Sequence, residues 1–513
     1  MAATLQLTGH DLAIADVERA AFDAGLQVEL SPAALDQIDA ARALIDRVVA
    51  ERIPTYGVNT GFGRFVDVHI EREQVADLQL NLLRSHACGL GDPFPGEVVR
   101  AALLLRANTL AKGASGVRRV VVERLLDLLH RDVVPVVPSR GSLGASGDLA
   151  PLAHLALVLV GEGSAQVAGG APVPGGQALA AVGLEPLELA AKEGLSLING
   201  TQFMAAIGAL VCARARRLAR VADLAAAQSV EALRGSRTPF APELQALRPH
   251  PGQAASAANL HRLLDDSEIV ASHRWCGRVQ DAYSLRCTPQ VHGAVRDTLE
   301  FAERIVTIEL NSATDNPLVL ADRGEVVSNG NFHGEPVAIA LDALKIALAE
   351  LGNIAERRIE RLLNPTMNEG QPAFLTRDGG FNSGFMIAQY AAASLVSENK
   401  VLAHPASVDS IPTSAGQEDH VSMGATAAVH LWSVCENVER VLSIELLCAA
   451  QGLDFLAPLR PGRAVAALHG AVRERSAHLE RDRSLSAEVE ALAADLRDGS
   501  VLRHVETAAG PLR

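Results

Sequence analysis

The chain has 513 residues, 48% hydrophobic and 21% charged, so it can bury a large core and wholesale disorder is excluded. Its 46 basic against 60 acidic residues give a net charge of −14, which argues against non-specific binding to nucleic acid or an anionic membrane. The six cysteines (Cys88, Cys212, Cys276, Cys287, Cys435 and Cys448) form no Cys-x-x-Cys pair, so reduced thiols are expected in place of disulfides or structural zinc.

The amino-terminal stretch has no basic segment ahead of an apolar one; no secretion signal and a cytoplasmic location are expected. Two polar, glycine-bearing loops come first, PTYGVNTGFGRF at 54–65 and RSHACGLGDPF at 84–94. Ser115, in Ala114-Ser115-Gly116, is expected to cap the apolar helix that ends near His130. A third loop, SRGSLGASGDLAPL at 139–152, leads into the longest apolar run, 149–160, whose roughly 12 residues fall short of the ~20 a membrane span needs. The glycine-rich 161–176 segment reads as a surface loop, and short strands are expected near 166–174 and 318–327.

After INGTQ at 198–202 the pattern turns helical. Ala/Leu-rich helices are expected at about 201–233, 289–311, 383–402 and 421–452. From 336 to 363, Val337, Leu341, Leu344, Leu348 and Leu351 step along one helical stripe. Glu350, Glu356, Arg357 and Glu360 take exposed positions there, and Pro365 ends the run. Between these helices lie VQDAYSLRCTPQ at 279–290, NGNFHGEP at 329–336 and SAGQEDHVSM at 414–423. Helices of about 30 residues span some 45 Å, which points to a bundle extended by partner subunits. The organisation expected is one fused catalytic unit with three regions: 1–200 with most of the loops, 201–455 as a long-helix bundle, and 456–513 as a more charged helical segment.

Polar loops on a helical scaffold are where sites are built. There is no Gly-x-Ser-x-Gly elbow, no Gly-x-x-x-x-Gly-Lys-Ser/Thr phosphate loop and no His-Glu-x-x-His, and no metal is expected. Lone histidines such as His154 and His292 read as hydrogen-bonded core residues. Two of the three tyrosines, Tyr56 and Tyr283, do lie in the loops. Gly144-Ala145-Ser146-Gly147 allows a rarer chemistry. If the Gly147 amide nitrogen attacks the Ala145 carbonyl carbon, a five-membered ring closes across Ser146. Loss of water from the ring and from the serine side chain then leaves a conjugated, electrophilic C=C. Glycine suits the attacking position because it tolerates the distorted backbone. Standing alone, the tripeptide would equally be a turn.

It does not stand alone. GSLGASGDLAPL closely resembles the core motif of the aromatic amino-acid ammonia-lyase family, and the other loops match that family in order over nearly the whole chain. The resemblance implies an all-α fold with a long central helix bundle of the ammonia-lyase/fumarase-like type and a mixed N-terminal region bearing the prosthetic group. It implies 4-methylideneimidazol-5-one (MIO) formed from Ala145, Ser146 and Gly147, no external cofactor, and a homotetramer whose sites are shared between subunits. Tyr56 matches the base that removes the β-proton. Asn199 and Arg286 match groups holding the substrate's amino and carboxylate ends. Gln280 and Tyr283 match residues lining the MIO, with Phe332 packed beside it, and Asp148 matches a residue assisting cyclisation. An arginine can grip a carboxylate with a bidentate fork. A tyrosine base needs its pKa lowered, which cations and helix N-termini could do.

His86 and Glu418 match the pair that faces an imidazole ring. In phenylalanine- and tyrosine-acting relatives the positions matching Ser85-His86 are typically Phe-Leu or His-Leu, but tyrosine aminomutases can also carry Ser-His, so the pair does not decide alone. Aromatic lyases and aminomutases resemble one another in having glutamine at the position of Glu418. A carboxylate can accept an imidazole N–H, whereas a phenyl ring would leave that charge buried without a partner. The resemblance thus implies elimination of ammonia from L-histidine to give trans-urocanate, the entry step of histidine degradation. A tyrosine or phenylalanine lyase, or an aminomutase that re-adds ammonia, is the alternative. Cys88 and Thr288 stand beside motif residues where relatives often have other types, which bears on substrate tuning. The Gly-Ser-Ser-x-Met-Pro loop of the fumarase group is absent. Replacing Ser146→Ala is expected to abolish the MIO and leave the fold intact. An intact-mass deficit of two waters in the parent chain, lost in the variant, checks this, and full activity in the variant would contradict it.

Overall fold

A computed structural model describes residues 4–144 and 148–513. Among them, twenty α-helices and nine short strands make up the fold, so the all-α expectation holds. Two compact units are present. The first comprises Met1–Ala213, Ala302–Asp342 and Pro405–Val429; the second comprises Arg214–Phe301, Ala343–His404 and His430–Arg513. No described helix is long and apolar enough to cross a membrane.

The long helices are Gln202–Ala232, Thr288–Leu310, Glu335–Leu363 and Gly424–Asp454, close to the expected spans, with Met386–Leu402 as a shorter fifth. Val337, Leu341, Leu344, Leu348 and Leu351 are all fully buried, as their four-three spacing requires. Glu356 departs from expectation. It is buried, because the helix is covered on more than one side, and it accepts a hydrogen bond from Arg357 Nε at 2.6 Å. A helix buried nearly all round cannot keep every charged position wet, and the remaining charges must pair.

In the second unit they do. Arg358 and Glu445, both fully buried, meet through Nε–Oε1 at 2.5 Å and Nη2–Oε2 at 2.8 Å, and Ser229 Oγ donates to the same Oε1 at 2.7 Å. These three residues come from three different long helices, so the cluster sets how those helices face one another. Glu439 is clamped likewise by Arg214 Nε at 2.8 Å and by Arg497 Nε and Nη2 at 3.0 and 2.8 Å.

In the first unit the expected hairpin Leu318–Leu320 with Glu325–Val327 forms, and Ser164–Val167 pairs with Val173–Pro174. Three pairings between remote segments were not legible: Leu5–Leu7 with Val28–Leu30, Leu90–Pro93 with Pro138–Arg140, and Val133–Pro135 with Ser164–Val167. Ser115 is not a helix cap. The helix starts only at Arg119, after an Arg118 N-cap whose backbone N–H donates to Glu193 Oε1 at 3.0 Å. Ser115 is buried instead, and its carbonyl accepts from Ser196 Oγ at 3.1 Å.

Arg358→Met strands the Glu445 carboxylate in the interior and should cost about 3–5 kcal/mol. Arg358→Met with Glu445→Met, which removes both charges, should cost much less. Chemical denaturation of the two variants checks the ordering, and equal losses would show that packing, not the ion pair, sets the cost.

Candidate active site

Three segments of the first unit meet at Gln79, a fully buried residue on the helix Val75–His86. Its Nε2 donates to the Gly57 carbonyl at 3.4 Å, and its Oε1 accepts from Leu195 N at 3.3 Å. One side chain therefore ties the helix that ends in His86 to the loop bearing Tyr56 and to the helix Glu193–Ile198, which Asn199 caps. Gly57 has φ +71°, and a Cβ there would stand 2.2 Å from Leu195 Cδ2, so glycine is required where the loop crosses that helix. Val58, beside it, is fully buried in a cluster with Leu44, Ile45 and Val319, which pins the loop from below.

Tyr56 lies edge-on to Phe62 at 6.2 Å between ring centroids, and its hydroxyl accepts from Gly63 N at 3.4 Å. Burial pushes its pKa up, and the Glu418 and Asp315 carboxylates add to the rise, against the Gly63 hydrogen bond. The surroundings within this unit thus oppose the lowering that a tyrosinate base needs. His86 Nδ1 lies 2.9 Å from the Leu82 carbonyl. A carbonyl only accepts, so Nδ1 carries the proton and Nε2 keeps its lone pair. Burial lowers the His86 pKa and favours the neutral ring, against the Leu82 carbonyl and Glu418. Glu418 Oε2 accepts from Thr413 Oγ1 at 2.8 Å, and the two backbones bridge through Thr413 N to Glu418 O at 2.9 Å.

Ala145, Ser146 and Gly147 lie outside the described residues, but both flanks are anchored. Gly144, at φ +84°, has its carbonyl bound by Ser422 Oγ at 2.9 Å, and a Cβ there would stand 2.3 Å from that hydroxyl. Asp148 N donates to the Gly200 carbonyl at 2.9 Å. Asp148 Oδ2 accepts from Phe203 N at 2.8 Å and Met204 N at 3.0 Å, at the start of the helix Gln202–Ala232. Burial pushes the Asp148 carboxyl up to about 7 despite these bonds, and the Glu309 carboxyl nearby adds to the rise.

Asn199 Nδ2 donates to Asp315 Oδ1 at 3.3 Å and to the Asn316 carbonyl at 3.2 Å. Asn316 Oδ1 in turn accepts from Asn329 N at 2.9 Å, which ties down the loop carrying the half-buried Phe332. Gln280, Tyr283 and Arg286 belong to the second unit. There Arg286 Nε donates to the Asp281 carbonyl at 2.9 Å, and its guanidinium lies over the Tyr283 ring at 4.7 Å. Among the described residues Arg286 pairs with no carboxylate. Gln280 and Arg286 line an open cavity of about 1190 Å³ with Arg234, Arg237 and Arg278.

His333, Glu335 and His420 bring possible ligand atoms within 4.8 Å of one another. His333 is already committed, however: Nδ1 accepts from Glu335 N at 3.3 Å and Nε2 faces the His420 carbonyl at 3.2 Å. As placed, that ring turns no free lone pair toward a cation.

Residues 12–474 match the sequence profile described as aromatic amino acid lyase. The chain belongs to the aromatic amino acid lyase family. It is 57% identical over 508 residues to a protein named histidine ammonia-lyase from Gloeobacter violaceus, covering 99% of this chain and 98% of that one. It is also similar to the crystal structure of histidine ammonia-lyase from Trypanosoma cruzi, with TM-score 0.91, 46% identity and coverage of 99% and 96%. A tyrosine aminomutase from Streptomyces globisporus has TM-score 0.94, 39% identity and full coverage of both chains.

Reading of the family's loops missed the residues that hold the loops in place: Gln79, Lys192, Asp315, Thr413 and Ser422. Gln79 and Lys192 were signalled by polarity inside largely apolar stretches, as with Lys192 in ELAAKEGLSLI, whereas Asp315, Thr413 and Ser422 lie in polar loops where nothing set them apart. Thr413→Val removes the hydrogen bond to Glu418 and should lower kcat/KM for the substrate about tenfold, the size expected for a bond to a charged group. Steady-state kinetics check this; an unchanged value would show that the backbone bridge alone orients the carboxylate.

Proposed function

We propose that this chain is a histidine ammonia-lyase, converting L-histidine to trans-urocanate and ammonia without oxidation, at the head of histidine degradation. The observation that carries this reading is Glu418. Its carboxylate is oriented by Thr413 and belongs to the same unit as His86, whose Nε2 lone pair is free. Together they offer acceptors for imidazole N–H groups, whereas a phenyl ring would bring no donor to the carboxylate. The 57% identity to the Gloeobacter violaceus protein supports the same substrate.

In this reading Tyr56 takes the β-proton. The electron pair of that C–H bond becomes the Cα=Cβ double bond, and the Cα–N bond breaks to release ammonia. Arg286 grips the carboxylate through its two free guanidinium nitrogens, with Tyr283 and Gln280 beside it, and Asn199 meets the amino end. Ala145, Ser146 and Gly147 would form the MIO, which supplies the electrophile that makes the amine a leaving group or the β-proton acidic. Asp148 is poised to move a proton during cyclisation, and Phe332 packs beside the group.

A homotetramer with shared sites fits two features. Tyr56 is pushed up by its own unit, so the positive field that a tyrosinate needs has to be supplied from elsewhere. The helix Met386–Leu402 exposes Ile387, Tyr390 and Val401, an apolar face suited to a second copy.

The test is ultraviolet monitoring of product with L-histidine, L-tyrosine and L-phenylalanine in parallel. Urocanate from histidine alone is expected. A product only from tyrosine or phenylalanine would overturn the substrate and keep the family, as the likeness to a tyrosine aminomutase makes worth checking. Glu418→Gln should lower histidine turnover about a hundredfold or more; a near-normal rate would refute its role.

A further inference from the structure

The amide of Asn199 has its orientation dictated from behind. Its Nδ2 faces a carboxylate oxygen of Asp315 and the carbonyl of Asn316, and neither can donate. Turning the amide over would press its oxygen against both acceptors, so the NH2 group points inward and Oδ1 outward. The remaining polar groups of Asn199 are occupied as well: its N–H donates to the Leu195 carbonyl at 3.0 Å, and its carbonyl accepts from Arg106 Nη1 at 2.9 Å. Among the described residues Oδ1 alone has no partner.

Asp315 imposes this only while it is ionised and held still. It is fully buried, and besides Asn199 Nδ2 its two oxygens take hydrogen bonds from three groups: Lys192 Nζ at 2.8 Å, Ser196 Oγ at 3.1 Å and Asn316 N at 2.7 Å. Lys192, also fully buried, donates a second hydrogen bond to Ser196 Oγ at 2.9 Å. Burial alone would push the Asp315 carboxyl up; the Lys192 ammonium and the Arg106 guanidinium reverse this and hold it below the usual carboxylate range.

We propose that Asp315, clamped by Lys192, is a positioning residue that makes Asn199 a hydrogen-bond acceptor toward the amino group of the substrate. The proposal rests on the ammonia-lyase reading of this site. An amine offers N–H donors, and only an outward amide oxygen can take one; an outward NH2 group would oppose it. In Asp315→Asn, Lys192 would claim the new amide's oxygen, leaving its NH2 to face Asn199. That arrangement favours the inverted Asn199 amide.

The experiment uses the full-length enzyme with L-histidine as substrate and 3-(imidazol-4-yl)propionate, which lacks the amino group, as inhibitor. Asp315→Asn should lower kcat/KM about tenfold to a hundredfold, as misplacement of a binding group does, while the inhibition constant moves less than about twofold. In an Asn199→Ala background the same substitution should change kcat/KM by less than about threefold, because the residue it acts through is gone. Equal losses in both backgrounds, or parallel weakening of the propionate, would overturn the proposal. If Asp315→Asn does not yield folded protein, Ser196→Ala removes one donor to Asp315 and keeps every charge. It should show the same split at about threefold, and a flat result there would equally overturn it. Absence of histidine turnover in the parent enzyme is a different failure, that of the activity reading, and is seen before any variant is made.

Discussion

Two charges removed from water hold the first unit's site together. Taking a carboxylate and an ammonium into the interior costs several kcal/mol per ion, and the cost is offset only where geometry is close and the remaining lone pairs are satisfied. Lys192 and Asp315 meet that condition through Ser196, Asn316 and Asn199. From Asp315 the chain of bonds runs through Asn316 to the loop of Phe332, and through Asn199 to the turn that Asp148 N grips at Gly200. Arg106 adds a second buried cation beside this single carboxylate. Loss of either Lys192 or Asp315 would leave the other's charge without that close partner in the interior.

The same electrostatics separate recognition from chemistry. The groups proposed to face the ring are set within the single chain: burial favours the neutral form of His86, its tautomer is set by a backbone carbonyl, and Glu418 is oriented by Thr413. The proposed base is not ready: burial, with two carboxylates adding to it, raises the Tyr56 pKa, although the proposed reaction needs it lowered. An assembly that brings positive charge to Tyr56 would link catalysis to association, since the phenol would ionise, and so become able to take a proton, only where that charge arrives.

Long helices were legible because one period, 3.6 residues, governs both their backbone and their buried stripe, as Val337 to Leu351 illustrate. Glu356 and Ser115 were misjudged for a related reason: periodicity marks one face, but whether a second face is covered, or where a helix begins, depends on segments far away in sequence. The small sheets behave alike. The hairpin at Leu318–Val327 is local and was expected, whereas Leu90–Pro93 with Pro138–Arg140 joins segments that nothing in their own sequence pairs.

The amino-acid sequence by itself determined the chemistry on offer. The proposed site residues Ala145-Ser146-Gly147, Tyr56, His86, Asn199, Arg286 and Glu418 could be picked out because each stands as one particular residue type in a family motif. Tertiary structure alone decided what makes those groups usable: the tautomer of His86, the facing of the Asn199 amide, the direction in which Tyr56 and Asp148 titrate. All but the first depend on burial and on partners tens to more than a hundred residues away, as Lys192 is from Asp315; His86 takes its tautomer from Leu82, one helical turn before it. Energies of that kind arise from distance and dielectric, and neither is written in the order of residues.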